Sequence, residues 1–168
     1  MPKRIVLNLP GHTHFLTFST YQRRRFLDSG ETRDIVMDVL QKCLVSQKAS
    51  CAGFVIMPDH VHALIYGEPE FKISPFVQVW KKTSSYRIKK FFERELDRYE
   101  RLCPTGCPVW QARFYDHNLD SQEKGNEKIG YMHNNPVVAG LCETLLDWNW
   151  SSARFYEFGE GVGVTITP

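Results

Sequence analysis

Two histidines separated by one residue, His60 and His62, are the first candidates for chemistry in this sequence. They belong to a segment, 60–66, whose alternating side chains predict a β-strand. Side chains two apart on a strand project from the same face, so both imidazoles can reach one metal ion. His12 and His14 have the same spacing on another predicted strand and, on spacing alone, compete equally for a metal.

A tyrosine and an asparagine near the end of a predicted helix form a second candidate group. Tyr131 and Asn135 are four residues apart, so they share one face of the helix. A phenol is mostly protonated at neutral pH, but it can attack a phosphodiester where a cation stabilises the phenolate and the phosphate together. Two histidines with one neutral oxygen donor leave positions open for phosphate oxygens, a donor set compatible with magnesium or manganese.

The elements that would position these groups follow from hydrophobic periodicity and turn residues. Predicted strands cover residues 12–20, 52–57, 60–66 and 113–118, and predicted helices cover about 28–47, 74–94 and 120–135. The last helix is predicted to end near Asn135, because Pro136 disfavours helical geometry in the residue before it. The order of elements is not a regular alternation of strand and helix, which favours an α+β fold with a mixed or antiparallel sheet.

Length and composition predict one globular domain over residues 1–158, followed by a glycine-rich tail, 159–168, that we expect to be flexible. The sequence has neither a long apolar stretch nor a secretory signal at its start, and its five cysteines are an odd number. We therefore expect a protein of the reducing cytoplasm without a complete disulfide framework. Cys103 and Cys107 lack the second pair that a structural zinc site needs, which favours a turn.

The net charge of +2 conceals two strongly basic segments. Residues 1–25 contain five basic and no acidic side chains, and residues 72–94 contain seven basic side chains against one acidic. One basic segment alone is often only the solvated face of a helix. Two of them on an otherwise acidic chain favour a polyanionic ligand such as nucleic acid.

Four segments carry a resemblance to a known family and occur in the family's order. They are Met57-Pro58-Asp59-His60-Val61-His62, Trp110-Gln111-Ala112-Arg113-Phe114-Tyr115-Asp116-His117, Tyr131-Met132-His133-Asn134-Asn135-Pro136-Val137-Val138-Ala139-Gly140-Leu141 and Trp148-Asn149-Trp150-Ser151-Ser152. Together they resemble the motifs of the REP-associated tyrosine transposases, the single-tyrosine branch of the His-hydrophobe-His (HUH) nucleases. The resemblance spans roughly residues 10–155.

The resemblance implies a ferredoxin-like α+β fold, the HUH nuclease fold, with an antiparallel sheet that bears the histidines and helices packed on one face. It implies that His60, His62 and Asn135 bind Mg²⁺ or Mn²⁺ and that Tyr131 is the nucleophile. The implied activity is a metal-dependent single-stranded DNA endonuclease and strand transferase. Its products would be a covalent 5′-phosphotyrosine and a free 3′-hydroxyl, formed at palindromic hairpin repeats.

The implied partner is a single-stranded DNA hairpin of the REP type, and we expect no membrane, no obligate protein partner and a monomer or homodimer at the nucleoid. Basic and polar side chains of the two basic segments and of the second motif are the predicted DNA contacts. They are Arg23, Arg24, Arg25, Lys81, Lys82, Arg87, Lys89, Lys90, Arg113 and His117.

Some residues depart from the family pattern. The tyrosine motif commonly continues with Ile-His-Leu-Asn-Pro, whereas Met132 and Asn134 flank His133 here, so a second amide stands next to the expected ligand. We interpret His12 and His14 as variation at strand positions that are usually apolar. An inactive hairpin-binding protein with the same fold is the alternative function. A barrel amidohydrolase can also begin with His-x-His. That barrel needs about 250 residues, so this chain is too short to form it.

Overall fold

The computed structural model describes residues 13–95, 101–103 and 106–168. Four strands form one sheet in the order β2-β3-β1-β4, with every neighbouring pair antiparallel. The strands are β1 (Thr13–Ser19), β2 (Ala49–Ile56), β3 (His60–Gly67) and β4 (Tyr115–Leu119). The helices are α1 (Gly30–Ser46), α2 (Ile73–Phe92), α3 (Gln122–Val138) and α4 (Ala153–Phe158), and single 3-10 turns cover Tyr21–Arg23 and Leu145–Asp147.

The two faces of the sheet are covered by different helices, as the alternation along β3 shows. Val61, Ala63 and Ile65 join the main core beneath α1 and α2, while Leu64 joins a second apolar cluster beneath α3. The predicted α+β fold with an antiparallel sheet is confirmed. The expectation that the helices pack on one face is wrong for α3: α1 and α2 share one face, and α3 lies on the opposite face because Ile129 and Met132 pack there against the sheet.

Helix α3 does not end near Asn135 as the sequence predicts but continues to Val138, with Pro136 inside it. A proline removes one backbone donor, and near the end of a helix this costs one hydrogen bond while the last turn still closes. Ala139 N–H donates to the Asn135 carbonyl at 2.9 Å, and Gly140 then stops the helix with a φ of 71°. The pyrrolidine ring is buried, so packing favours this arrangement.

The tail after residue 158 is packed rather than loose, which corrects the predicted flexible segment. Val162, Val164 and Ile166 are buried in the main core. The backbone beside them pairs with the outer edge of β2, where Thr167 N–H donates to the Cys51 carbonyl at 2.9 Å. The tail therefore completes the domain, because its apolar side chains alternate along an extended segment and all point into the core.

Cysteine placement differs in one respect from the sequence prediction. Cys103 and Cys107 are joined by a disulfide, and residues 104–105 of the turn predicted between them lie outside the described residues. Cys43 and Cys51 are free and buried, and burial raises the pKa of these thiols to about 11 and about 12 respectively. Within the described ranges, every helix is too short or too polar to cross a membrane.

Candidate active site

The histidine pair lies at the start of β3, on the sheet face that α3 partly covers. His60 and His62 are 8% and 5% exposed, and their ring centroids are 4.8 Å apart. Leu64, two residues farther along, lies in the apolar cluster under α3, so alternation places both imidazoles on that same face. The predicted common face of the two histidines is confirmed.

Each histidine uses its Nδ1 atom within the protein. His60 Nδ1 lies 2.7 Å from Asp59 Oδ1, and His62 Nδ1 lies 2.7 Å from Thr17 Oγ1. A carboxylate can only accept, so His60 Nδ1 donates, and the same tautomer at His62 lets Thr17 accept. Both Nε2 atoms then carry the free lone pair, which is the arrangement that metal-binding histidines adopt.

His62 also has the electrostatics of a neutral ligand. Burial, together with the positive charges of His60, Arg23 and Lys128, lowers its pKa to about 3. Its Nε2 atom is buried and has no hydrogen-bond partner in the described part of the chain. A buried nitrogen lone pair without a partner is costly unless a ligand fills that position.

Tyr131 is the exposed side chain that α3 brings to the histidines. Its ring meets the His62 ring edge-on with 5.3 Å between centroids, and the residue is 53% exposed. Asn135 follows one turn later on the same face and is half-buried. Asn134, the competing amide, is exposed and donates to the Gly130 carbonyl at 3.1 Å, which favours Asn135 as the oxygen donor at the site.

The residues on this face can bind a divalent cation only if nitrogen and oxygen ligands are combined. Across the described ranges, no group of three or more His, Cys, Asp and Glu side chains is arranged to hold a metal ion. A site on this face therefore needs the two imidazoles and a neutral donor, for which Asn135, half-buried one turn after Tyr131, is the candidate on α3. Such a set leaves coordination positions open and is compatible with Mg²⁺ or Mn²⁺.

His133 lies between Tyr131 and Asn135 in sequence but faces away from the site. It is buried, and its Nε2 atom lies 2.8 Å from Ser152 Oγ. Ser152 Oγ in turn accepts from the Phe54 backbone N–H at 3.0 Å. Burial lowers the pKa of His133 to about 4, so it is neutral near pH 7. This histidine links α3 to β2 and so sets the position of Tyr131.

Three residues near the site were not predicted from the sequence: Thr17, Asp59 and Lys128. Thr17 and Asp59 act through the histidines, and only strand register reveals Thr17. The Lys128 ammonium lies 5.9 Å from the centroid of the Tyr131 ring and 5.0 Å from that of Phe15. Its position three residues before Tyr131 on a helix is a sequence signal that could have identified it.

Arg23, a predicted DNA contact, lies beside the histidines. Its Nε atom is 3.0 Å from Asp59 Oδ2, and its Nη1 donates to Ser19 Oγ at 2.9 Å. Gln22 and Arg23 have φ angles of 52° and 57°, a left-handed turn that is unfavourable for both residues. The strained turn directs the guanidinium toward the carboxylate that orients His60.

Several other predicted DNA contacts use their charged groups within the fold. The Arg24 guanidinium donates to the Leu102 carbonyl, and the Lys81 ammonium donates to the Gln111 and Ala112 carbonyls. Three more form ion pairs: Arg25 with Asp28, Arg87 with Asp38 and Lys90 with Glu93. These side chains are less available to phosphate than the sequence suggests, and Lys81 in particular fixes the segment before β4.

Lys82 and Lys89 are the predicted contacts on the outer face of α2. Both are exposed, and neither forms an ion pair with any described residue. Because α2 covers the face of the sheet opposite the histidines, the structure does not bring these lysines to Tyr131. Arg113 is exposed before β4, and His117 is exposed on β4 itself.

The competing histidine pair is not assembled at the site. His14 lies next to Phe15 on β1, and Phe15 stacks on His62, so His14 points to the opposite face. There its Nδ1 atom lies 2.9 Å from Asp116 Oδ1. His12 lies outside the described residues.

The motif at 148–152 supports the turn that precedes His60. Trp148 Nε1 donates to the Ile56 carbonyl at 3.0 Å, and Ile56 N–H donates to the Trp150 carbonyl at 2.8 Å. The buried Arg33 guanidinium lies over both indoles, 4.7 Å from the Trp148 ring and 3.8 Å from the Trp150 ring. The end of β2 is thereby fixed from outside the sheet.

The chain is similar to named transposases in sequence and in fold. A REP-associated tyrosine transposase of Escherichia coli K12 is 24% identical over 144 residues, covering 86% of this chain and 78% of that protein. A Haemophilus influenzae protein provisionally given the same name is 22% identical over 141 residues, 72% of each chain. A solved REP-associated tyrosine transposase bound to a REP hairpin superimposes with a TM-score of 0.68 at 20% identity, covering 98% of this chain and 92% of that one.

The family model described as "Transposase IS200 like" matches residues 10–135. That range contains β1 to β4, both histidines, Tyr131 and Asn135, so it includes the whole candidate site as well as most of the chain. The chain belongs to the IS200-like transposase family.

Proposed function

We propose that this transposase cuts and rejoins single-stranded DNA at palindromic hairpins through a covalent tyrosine intermediate. The observation that carries the proposal is the contact between Tyr131 and His62, whose ring centroids are 5.3 Å apart on one open face. The relatives that are named REP-associated tyrosine transposases, and the structural neighbour bound to a REP hairpin, support a hairpin as the substrate.

His60, His62 and Asn135 are the residues that would hold Mg²⁺ or Mn²⁺. A divalent cation bound there supplies a Lewis acid that polarises the scissile phosphate and stabilises the developing negative charge. The protein contributes the orientation of its ligands: Asp59 and Thr17 fix the two imidazoles so that each Nε2 lone pair faces the site.

Tyr131 is the proposed nucleophile. Its phenol oxygen forms a bond to phosphorus while the bond from phosphorus to the 3′-oxygen breaks, and the proton lost by the phenol is balanced by the one gained by the departing 3′-hydroxyl. The strand is then held as a 5′-phosphotyrosine. Attack by the 3′-hydroxyl of a second strand reverses these bond changes and releases Tyr131.

Lys128 is positioned to assist the phenol. Its ammonium lies near both the Tyr131 and the Phe15 rings, on the same stripe of α3 as Tyr131. An ammonium beside the ring of the proposed nucleophile is placed to contact the phosphate that Tyr131 would attack.

The test uses labelled single-stranded hairpins taken from palindromic repeats beside the protein's gene, incubated with and without Mg²⁺ or Mn²⁺ and resolved on a denaturing gel. We expect a metal-dependent cut with protein attached to the 5′ end. Tyr131→Phe should abolish the cut and the adduct while hairpin affinity stays within about twofold, because the change removes one exposed oxygen.

Tyr86→Phe is the matched control, since it removes the same atom from an exposed tyrosine on the outer face of α2. This variant should cut normally. Cleavage by Tyr131→Phe would remove Tyr131 as the nucleophile. Tight binding by the wild-type protein with neither cut nor adduct under any metal would instead favour the inactive hairpin-binding protein.

A further inference from the structure

The edge strand β4 presents two exposed aromatic side chains beside the candidate active site. Only Leu119 is buried on this strand, and Tyr115 is 58% exposed. The Tyr115 and His117 rings are nearly parallel, at 10°, with 6.4 Å between centroids. An exposed pair of parallel rings has unused π-faces.

Strand alternation places this pair on the catalytic face of the sheet. Leu119 belongs to the apolar cluster that includes Phe15 and Leu64 under α3. Tyr115 and His117 are four and two residues before Leu119, so their side chains leave the sheet on the same side. They therefore share a face with His60 and His62.

Strand register sets the distance between the pair and the histidines. Thr17 on β1 lies opposite His62 on one side and opposite Tyr115 on the other. Tyr115 and His62 thus occupy one row across three strands, and two strand spacings separate them by about 10 Å. That distance is roughly one to two nucleotides of extended single-stranded DNA from the site at which Tyr131 would act.

The charges near the pair suit a polyanion. Arg113 is exposed two residues before Tyr115. Asp116, the acidic residue within β4, projects from the other face and is paired there with His14. A base stacked on the two rings would consequently meet a cation at its backbone, while the carboxylate of the strand is turned away.

We propose that Tyr115 and His117 form a stacking platform for one or two unpaired bases that flank the scissile phosphate. The inference rests on the proposed function, because it assigns a subsite for the same single-stranded DNA. Stacking on aromatic rings tolerates any base, so the platform positions the strand, and sequence choice must come from other contacts. Tyr115 and His117 are positioning residues and take no part in bond making.

The experiment measures DNA affinity without metal, so that cleavage plays no part. The probes are three synthetic DNA hairpins that share one stem: one with an unpaired extension at its 5′ end, one with the extension at its 3′ end, and one with neither. Each extension carries a fluorescent purine analogue, whose emission is quenched when it stacks on an aromatic ring.

For the wild-type protein we expect at least one extension to raise affinity and to be quenched. Tyr115→Ala should lose that gain, on the order of tenfold, together with the quenching, since one stacked base contributes about that much. Affinity for the hairpin without an extension should be unchanged, and Tyr115→Phe should retain both signals. Tyr86→Ala, a change at an equally exposed tyrosine on α2, should also retain them.

Two results would overturn the inference, and they differ from each other. A gain and a quench that persist in both Tyr115→Ala and His117→Ala would remove the platform while leaving the cleavage proposal intact. Failure of the wild-type protein to bind any of the three hairpins would remove the platform and the proposed function together.

Discussion

Thr17 and Asp59 determine what His60 and His62 can bind. Each is hydrogen-bonded to one Nδ1 atom, and they differ in charge: Asp59 is a carboxylate that also contacts Arg23, whereas Thr17 is neutral. A neutral partner fixes orientation without adding negative charge to the site. His62 therefore depends on Thr17 for its geometry, while His60 is oriented by a carboxylate that Arg23 also contacts.

Thr17→Val tests this role at the scale of one oxygen atom. Valine keeps the size and branching of threonine but removes the acceptor of the His62 Nδ1 proton, so we expect affinity for Mn²⁺ to fall by roughly tenfold or more. Isothermal titration of the metal-free protein measures the change. Thr17→Ser retains the hydroxyl and should bind Mn²⁺ nearly as the wild-type protein does. Equal affinity in the valine variant would show that His62 is oriented by packing alone.

The sequence predicted the candidate site residues and missed most of those that position them. Spacing on one strand and one helix suggested His60, His62, Tyr131 and Asn135, the resemblance implied their roles, and the structure brings their elements together. Thr17 is 45 positions from His62, so its contact depends on the pairing of β1 with β3. No local pattern encodes that register, although the alternation that buries one face constrains it.

At the scale of elements, helix α1 is well capped at its N-terminus but is followed by a strained backbone conformation at its C-terminus. Ser29 caps the N-terminus, where its side chain accepts from the Thr32 backbone N–H. At the other end the C-cap residue Gln47 is followed by Lys48 with a φ of 50°. Glycine is the usual residue at this position, because a side chain in the left-handed region clashes with the backbone.

Lys48→Gly should stabilise the protein. Relief of the left-handed strain is worth about 1 kcal/mol, partly offset by the greater freedom of glycine in the unfolded chain. We expect a net rise in Tm of roughly 1–3 °C, measured by thermal denaturation monitored by circular dichroism. Lys48→Ala removes the same charge but keeps a Cβ atom and should give no such rise. A lower Tm for the glycine variant would show that the lysine side chain stabilises the loop.

Local periodicity predicted the main elements, and long-range packing determined the rest. The predicted strands 12–20 and 60–66 correspond closely to β1 and β3, and the helix at 28–47 corresponds to α1. The sequence did not predict that the tail is ordered, because Val162, Val164 and Ile166 pack into a core formed by residues that are distant in the sequence. It also did not predict the last turn of α3, because a buried Pro136 there is favoured only by its tertiary contacts.

For the whole molecule, the sheet separates two surfaces with different properties. One surface carries His60, His62 and Tyr131, with Arg23 and Lys128 as its nearest cations. The other is the outer face of α2, with Lys82 and Lys89 one above the other, seven residues apart on the helix. A DNA hairpin that contacts both surfaces must pass around an edge of the sheet, and a hairpin confined to one surface meets only one set of cations.

The salt dependence of binding distinguishes these two paths. If the stem contacts α2, the double change Lys82→Ala and Lys89→Ala should reduce the slope of log K against log salt concentration by roughly 1.5–2, because each phosphate contact releases about one counterion. Fluorescence anisotropy of a labelled hairpin at several salt concentrations gives the slope.

The control changes Lys42 and Lys124 to alanine. It removes equal charge from lysines that are already paired with Asp38 and Asp120, so it should alter the slope little. An unchanged slope in the Lys82 and Lys89 variant would confine the DNA to the histidine surface, where Arg23, Lys128 and Arg113 would have to supply the phosphate contacts.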